Sequence, residues 1–301
     1  MTNSNEMKHF IAVDKIRAMM HNETETYSCC GSYLKQGIGE DWRLKICNWA
    51  YDVVDHFKYD REAVALAMSY LDRFMDYSIS NGLHLSKKCF QLSATACILI
   101  AIKIEGCNED GHKPITTHSL ADLSCGVFST ESIQKMEEII LSSLKWRINP
   151  PIAAHYISEF MQLFPAYETY CNDVCRNAHT LIYELSKYFA DISVCVATLA
   201  IDHRPSTVAF ASIINAVELI DSTYLPHAVR KSLLANISDA TNTKEGSREV
   251  YEVRMLLRET CPAVTIGENN FSVQVGTIQG TDDLSNREAS PVCVSGASLQ
   301  R

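Results

Sequence analysis

Positive charge is scarce in this chain. Twenty-seven Lys and Arg stand against 36 Asp and Glu, a formal net charge of −9. Duplex nucleic acid and anionic membrane surfaces both select a basic face, so neither is expected as a general partner, although a local basic patch is compatible with this balance. A bilayer-spanning run is also missing. The most apolar stretch, Lys88–Glu105, is too short and is interrupted by Gln91. The first ten residues are polar and lack the apolar segment of a secretory leader. No cysteine pair has Cys-x-x-Cys spacing. The twelve cysteines are scattered, several in apolar helical runs (Cys47, Cys89, Cys97, Cys195), which points to reduced thiols of the cytoplasm or nucleus. Cys171 and Cys175, four apart, have no second pair, and Cys107, His112, His118 and Cys125 match no compact zinc spacing, so a polar loop and no metal are expected there. There is no P-loop, glycine-rich loop, His-Glu metal motif or nucleophile elbow. No catalytic residue and no cofactor are therefore expected.

What is present is helical. With 47% hydrophobic and 21% charged residues the chain is globular, and 301 residues suit one large domain or two ordinary ones. Lys88–Glu105 carries no Gly or Pro and is apolar nearly all round, the pattern of a helix enclosed by others. Before it, Ile46, Trp49, Ala50, Val53, Val54 and Phe57 mark one helix face, and Val64, Ala67, Met68, Leu71, Phe74 and Met75 mark the next, with Asp60 as its cap. After it come a polar loop, a short helix near 117–123, and a helix capped at Ser129 or Thr130 with Ile133, Met136, Ile140, Leu141 and Leu144 inward. Asn149-Pro150-Pro151 ends that series.

The same order then recurs with little identity. His155–Phe164 is short and amphipathic. Val174, Ala178, Leu181, Ile182, Leu185 and Phe189 form a long stripe. Pro205 opens a second helix apolar nearly all round, followed by a short segment bearing Pro226 and a helix near 247–258. The expected organisation is all-α: residues 1–40 with a short docking helix (Phe10, Val13, Ile16 and Met20 on its stripe, then linker from 21), a first domain at 41–149, a second at 150–260, and a disordered tail at 261–301.

Several strings resemble the cyclin family. Arg43, Trp49 six residues on, and Tyr70-Leu71-Asp72-Arg73-Phe74 match the opening of a cyclin box without a gap. QLSATACILIAIKIE is similar to its third helix, and IQKMEEIILSSLKWRIN to its fifth. Residues 150–260 look like a C-terminal cyclin fold, and RAMMHNETETY is similar to a D-type lead-in, although no Leu-x-Cys-x-Glu string is present. The resemblance implies two consecutive five-helix domains, each with a central buried helix. It also implies a regulatory subunit that binds and activates a cyclin-dependent Ser/Thr kinase, in cell-cycle control or transcription, in the nucleus or cytoplasm.

By resemblance, Lys103 and Glu137 bind the kinase main chain, with Ile100, Ile104, Leu141, Trp146 and Ile148 around them. Arg43 and Asp72 form a structural ion pair. Trp42, Arg43, Ile46, Trp49 and Asp52 fall on a patch that docks substrate or inhibitor peptides, although Trp42 replaces the usual Met and Lys45 the usual Ile. Ser290-Pro291 has the form of a phosphorylation site. A DNA-bound basal transcription factor of the same fold requires the basic face that this composition lacks. An enzyme built on the Cys/His loop requires bound metal.

Overall fold

The computed structural model describes residues 2–36, 38–83, 86–105, 115–165 and 173–261, with two short strands at Thr265–Ile266 and Val273–Gln274. The zinc-spacing positions Cys107 and His112, Cys171, and the Ser290-Pro291 dipeptide lie outside these residues. Eleven α-helices are present among them: α1 Thr2–Glu25, α2 Glu40–His56, α3 Glu62–Ser80, α4 Lys87–Glu105, α5 Thr117–Leu123, α6 Thr130–Ser143, α7 Ala153–Met161, α8 Asp173–Cys195, α9 Pro205–Leu219, α10 His227–Thr241 and α11 Arg248–Thr260. They divide into two compact units. One comprises Ser28–Pro150 with Val194–Ala197; the other comprises Met1–Tyr27, Pro151–Ser193 and Thr198–Ile278.

In the first unit α4 is the enclosed helix, with α3, α6, α2 and α5 packed on it. Every side chain from Ser93 to Ile102 is buried. Its two buried hydroxyls are satisfied within the helix: Ser93 donates to the Cys89 carbonyl (2.9 Å) and Thr95 to that of Gln91 (3.0 Å). Of the surrounding helices, α5 and α6 start at side-chain caps, whereas the N-cap of α3 is Arg61 and not the expected Asp60, and neither it nor Gly39 ahead of α2 gives a side-chain cap. Asp60 accepts from the Glu62 amide (2.9 Å) ahead of α3, Thr116 and Ser119 form a capping box on α5, and Ser129 accepts from the Ser132 amide (3.2 Å) on α6.

The second unit repeats the plan around α9, whose side chains from Ser206 to Val217 are all buried, with α7, α10 and α11 against it. Asn215, a polar residue inside that cylinder, donates to the Arg254 carbonyl (3.1 Å) and accepts from Arg258 (3.1 Å). Pro226 precedes a full fifteen-residue helix, α10, where the sequence suggests a short segment. Within the stretch expected as a disordered tail, 261–301, Thr265–Ile266 pairs antiparallel with Val273–Gln274, and residues 262–264, 267–272 and 275–301 lie outside the described residues.

The N-terminal segment departs most from expectation. α1 extends to Glu25, so the start of the expected linker is helical, and it packs on α7 and α10. Its inward face is Ala12, Ile16 and Glu23, while Phe10 points to solvent. Glu23 has a specific task. The N-cap of α9 is Arg204, which makes no side-chain cap, and Pro205 at the first position has no N–H. The Glu23 carboxylate supplies the missing acceptor, taking the Ser206 amide (3.1 Å) and hydroxyl (2.5 Å). Burial pushes its carboxyl above the ordinary 4.5, against the Ser206 hydrogen bonds and Arg204 that favour the anion. A raised folded value means that Glu23 contributes most at low pH and loses stability as pH rises from about 4.5 through that value. Glu23→Gln keeps the acceptor without the charge. Its melting temperature should therefore gain on the parent's as pH rises, whereas Glu23→Leu, which leaves the Ser206 amide unmet, should cost about 1–3 kcal/mol. Parallel melting curves across this range check both.

Candidate functional site

The string Tyr70–Phe74 in α3 organises the first unit. Leu71 and Phe74 point into the core. Asp72 meets the Arg43 guanidinium side-on from α2, Nε–Oδ1 3.0 Å and Nη2–Oδ2 2.8 Å, a bidentate pair with both partners buried. Arg43 also donates to the Val194 carbonyl (2.7 Å), and the Tyr33 hydroxyl donates to Asp72. Burial opposes the Arg43 charge, but Asp72 outweighs it and holds the guanidinium above its ordinary value. Tyr33 lies in the segment read as linker; it is buried in a 3₁₀ turn, Ser32–Lys35, that Asp76 of α3 anchors by accepting from the amides of Cys30 (2.7 Å) and Gly31 (2.9 Å). Arg43 and Asp72 are thus a buried joint between α2, α3 and the Ser32–Lys35 turn.

The other two members of the string hold the segment after α6. The Tyr70 hydroxyl donates to the Ile148 carbonyl (2.5 Å), and Arg73 to that of Arg147 (3.0 Å). Just before, Lys145 (φ 53°) and Trp146 (φ 59°) are consecutive left-handed residues. Each costs about 1–2 kcal/mol for a side chain larger than Gly. The Lys145 amide donates to Ser142 (3.0 Å) and that of Trp146 to Leu141 (2.9 Å), closing the helix end. The outcome is that Trp146 is 68% exposed. No pattern of glycines or asparagines signals this turn, so sequence reasoning missed Tyr70 and Arg73 as the residues that present the tryptophan.

Lys103 sits in the last turn of α4, where the helix dipole favours a cation, and Glu137 half-way along α6. Their heads meet at 2.6 and 2.8 Å, the lysine side chain 53% exposed and the glutamate 14%. Ile104, next to Lys103, is exposed, and Leu141 and Ile148 are half-buried. Ile100 is different: it lies inside the α4 core at 2% exposure and offers nothing to a partner. A helix buried all round has no outward side for periodicity to identify.

A family model described as "Cyclin, N-terminal domain" matches residues 14–149. Cyclin-D3-2 of Arabidopsis thaliana is 28% identical over 206 residues, 68% of this chain and 52% of that protein. G1/S-specific cyclin-D1 of Mus musculus is 25% identical over 207 residues, 67% of this chain and 63% of that protein. Residues 14–149 thus match a cyclin N-terminal domain, and about two thirds of the chain is similar to cyclins. The chain spans between about half and two thirds of the length of these curated relatives. The crystal structure of a viral cyclin from herpesvirus saimiri shares the fold, with a TM-score of 0.56 and 19% identity over 82% of this chain and 97% of that one.

The peptide patch expected from the cyclin resemblance is largely closed. Arg43 is held by Asp72, and Ile46 and Trp49 are buried at 1% and 5% exposure. Their side chains pack into the core because α2 turns this face toward the rest of its unit. Trp42 stays half-exposed and Asp52 exposed; partial burial and then Asp55 push the Asp52 carboxyl up. His118 and Cys125 are both exposed, and among the described residues no three His, Cys, Asp or Glu side chains gather as metal ligands. No described helix is long and apolar enough to cross a membrane.

Proposed function

We propose that this chain is a cyclin, the regulatory subunit of a cyclin-dependent Ser/Thr kinase, and acts in cell-cycle control in the nucleus or cytoplasm, contributing no chemistry of its own. The observation that carries the reading is the Lys103–Glu137 pair, with exposed Ile104 next to Lys103 in sequence and the strained, exposed Trp146 three residues past the end of Glu137's helix. Strain of that kind persists where a function uses it, and a large apolar side chain held in water suits a partner. The pair holds each head in place without exhausting it. One lysine N–H and the second lone pairs of the carboxylate remain for main-chain groups of the kinase's activation helix. Leu141, Ile148, Ile104 and Trp146 would form the apolar part of the contact.

Held inward, that helix lets its Glu pair with the catalytic Lys and order the ATP phosphates. Activation is then a shift of population toward the conformation that the cyclin binds better. Affinity capture of the tagged chain from its own cells, followed by identification of co-purifying proteins, tests the assignment. A kinase catalytic subunit in near-stoichiometric amount is expected, and its absence from a folded, captured chain contradicts the reading.

A further inference from the structure

Two cysteines far apart in the chain meet beside the Arg43 joint. Cys47 lies one turn along α2 from Arg43, and Cys195 follows Val194, whose carbonyl accepts from Arg43 (2.7 Å). The same two segments touch a second time at the cysteines, where the two Sγ atoms stand 3.3 Å apart, one thiol donating to the other. Both residues belong to the first unit. They differ in access. Cys47 is fully buried, whereas Cys195, the last residue of α8, is half-buried, and its thiol also donates to the Asn48 side chain (3.8 Å). Burial, then the Cys195 sulfur, push the Cys47 thiol well above its ordinary value. Cys47 therefore stays protonated, and the more accessible Cys195 is the sulfur that an oxidant in solution meets first.

We propose that Cys47 and Cys195 form a reversible disulfide that fastens the end of α8 to α2. A covalent S–S bond is about 2.0 Å long, so the sulfurs must close by about 1.3 Å, a step that side-chain rotation can supply. The oxidant is a peroxide. The Cys195 sulfur, as thiolate, attacks one peroxide oxygen and the O–O bond breaks. Cys195 becomes a sulfenic acid, and the second oxygen leaves as hydroxide and takes up the proton that the thiol gave up. The Cys47 sulfur then attacks the Cys195 sulfur, the S–O bond breaks, and the departing hydroxide leaves as water with the Cys47 proton. The two thiols lose two electrons, and one hydrogen peroxide becomes two waters. Neither sulfur has to be without a hydrogen bond beforehand, because both thiol protons leave in the reaction. In a reducing compartment such a bond is a response to oxidant and not a permanent brace, and a dithiol reductant reopens it. It joins residues 148 apart in sequence, so it restricts the unfolded chain strongly.

The test uses the full chain, reduced and then freed of reductant. It is exposed to hydrogen peroxide under native conditions, capped with iodoacetamide, digested without reduction and read by mass spectrometry. A tryptic peptide containing Cys47 joined to one containing Cys195 is expected as the main cross-link, and dithiothreitol should abolish it. The oxidised chain should melt about 4–10 °C above the reduced one, and Cys195→Ala should lose this gain. Cys47→Ser should stop at the Cys195 sulfenic acid, trapped by dimedone. If that buried substitution unfolds the chain, Cys47→Ala replaces it with the same expectation. Recovery of both residues as thiols from the folded parent, or oxidation of Cys195 without its joining Cys47, overturns the proposal. So does a cross-link that forms only in guanidinium-unfolded chain, or a disulfide that leaves the melting temperature unchanged or lower.

Discussion

Arg43→Ala should lower the stability of the first unit by about 3–5 kcal/mol, because it strands the Asp72 carboxylate in the core with the Tyr33 hydroxyl as its remaining partner. Asp72→Asn should cost a similar amount by leaving the buried guanidinium with the Val194 carbonyl and no counter-charge. Set against a typical total of about 5–15 kcal/mol, either change removes a large fraction of stability and should depress the melting temperature by roughly 6–20 °C. The pair itself need not be net stabilising, since two charges give up hydration to form it. Arg43→Met combined with Asp72→Leu should therefore melt above either single variant, although Tyr33 loses its acceptor. Thermal denaturation of the four proteins decides it. Single variants within about 1 kcal/mol of the parent would mean that water reaches the pair.

Lys103→Ala with Glu137→Ala should leave folding nearly untouched and weaken kinase binding by about two to four orders of magnitude. The first half follows from the position of the pair: the Lys103 head is open to solvent, and a pair at the surface contributes about 0–1 kcal/mol to the fold even with Glu137 half-buried. The second follows from hydrogen bonds between charged side chains and main chain, about 1.5–3 kcal/mol each, with about 1.4 kcal/mol per tenfold. The pair already exists in the chain without its partner, so little ordering remains to be done on binding and most of that energy is realised. Titration calorimetry of the double variant against the kinase that co-purifies with the parent chain gives the affinity, and circular dichroism gives the fold. Undiminished affinity would move the contact elsewhere. Trp146→Ala should also weaken binding; because Trp146 is 68% exposed in the free chain, its removal should leave the melting temperature unchanged or higher.

The helices were legible wherever a stripe of apolar residues faces one core. Ile46 to Val54, Val64 to Met75 and Ala178 to Phe189 all lie inward as their spacing requires, and the two helices apolar all round, α4 and α9, are the enclosed ones. What periodicity cannot supply is a partner far along the chain. Glu23 caps a helix 183 residues away, so in sequence it looks like any acid near a helix end. Tyr33 was hidden in a glycine-flanked stretch, and its burial depends on α3 folding over it. Ile100 was assigned to a surface, and Ile46 and Trp49 to an open patch, because resemblance transfers a position but not its exposure, which depends on every neighbour that packs there. The Lys145–Trp146 turn was invisible because left-handed backbone is announced by Gly or Asn, and here neither is present.

On this proposal the chain switches on a kinase by binding it. The measurement that addresses it most directly is phosphate transfer by a purified cyclin-dependent catalytic subunit, the one captured with the native chain, as the cyclin is titrated in. Turnover should rise saturably from a near-silent baseline to a plateau at equimolar cyclin, and the titration curve for Lys103→Ala with Glu137→Ala should be displaced to much higher concentration. A kinase that binds the folded chain yet shows no gain in turnover, or one activated equally by the double variant, would contradict the proposal.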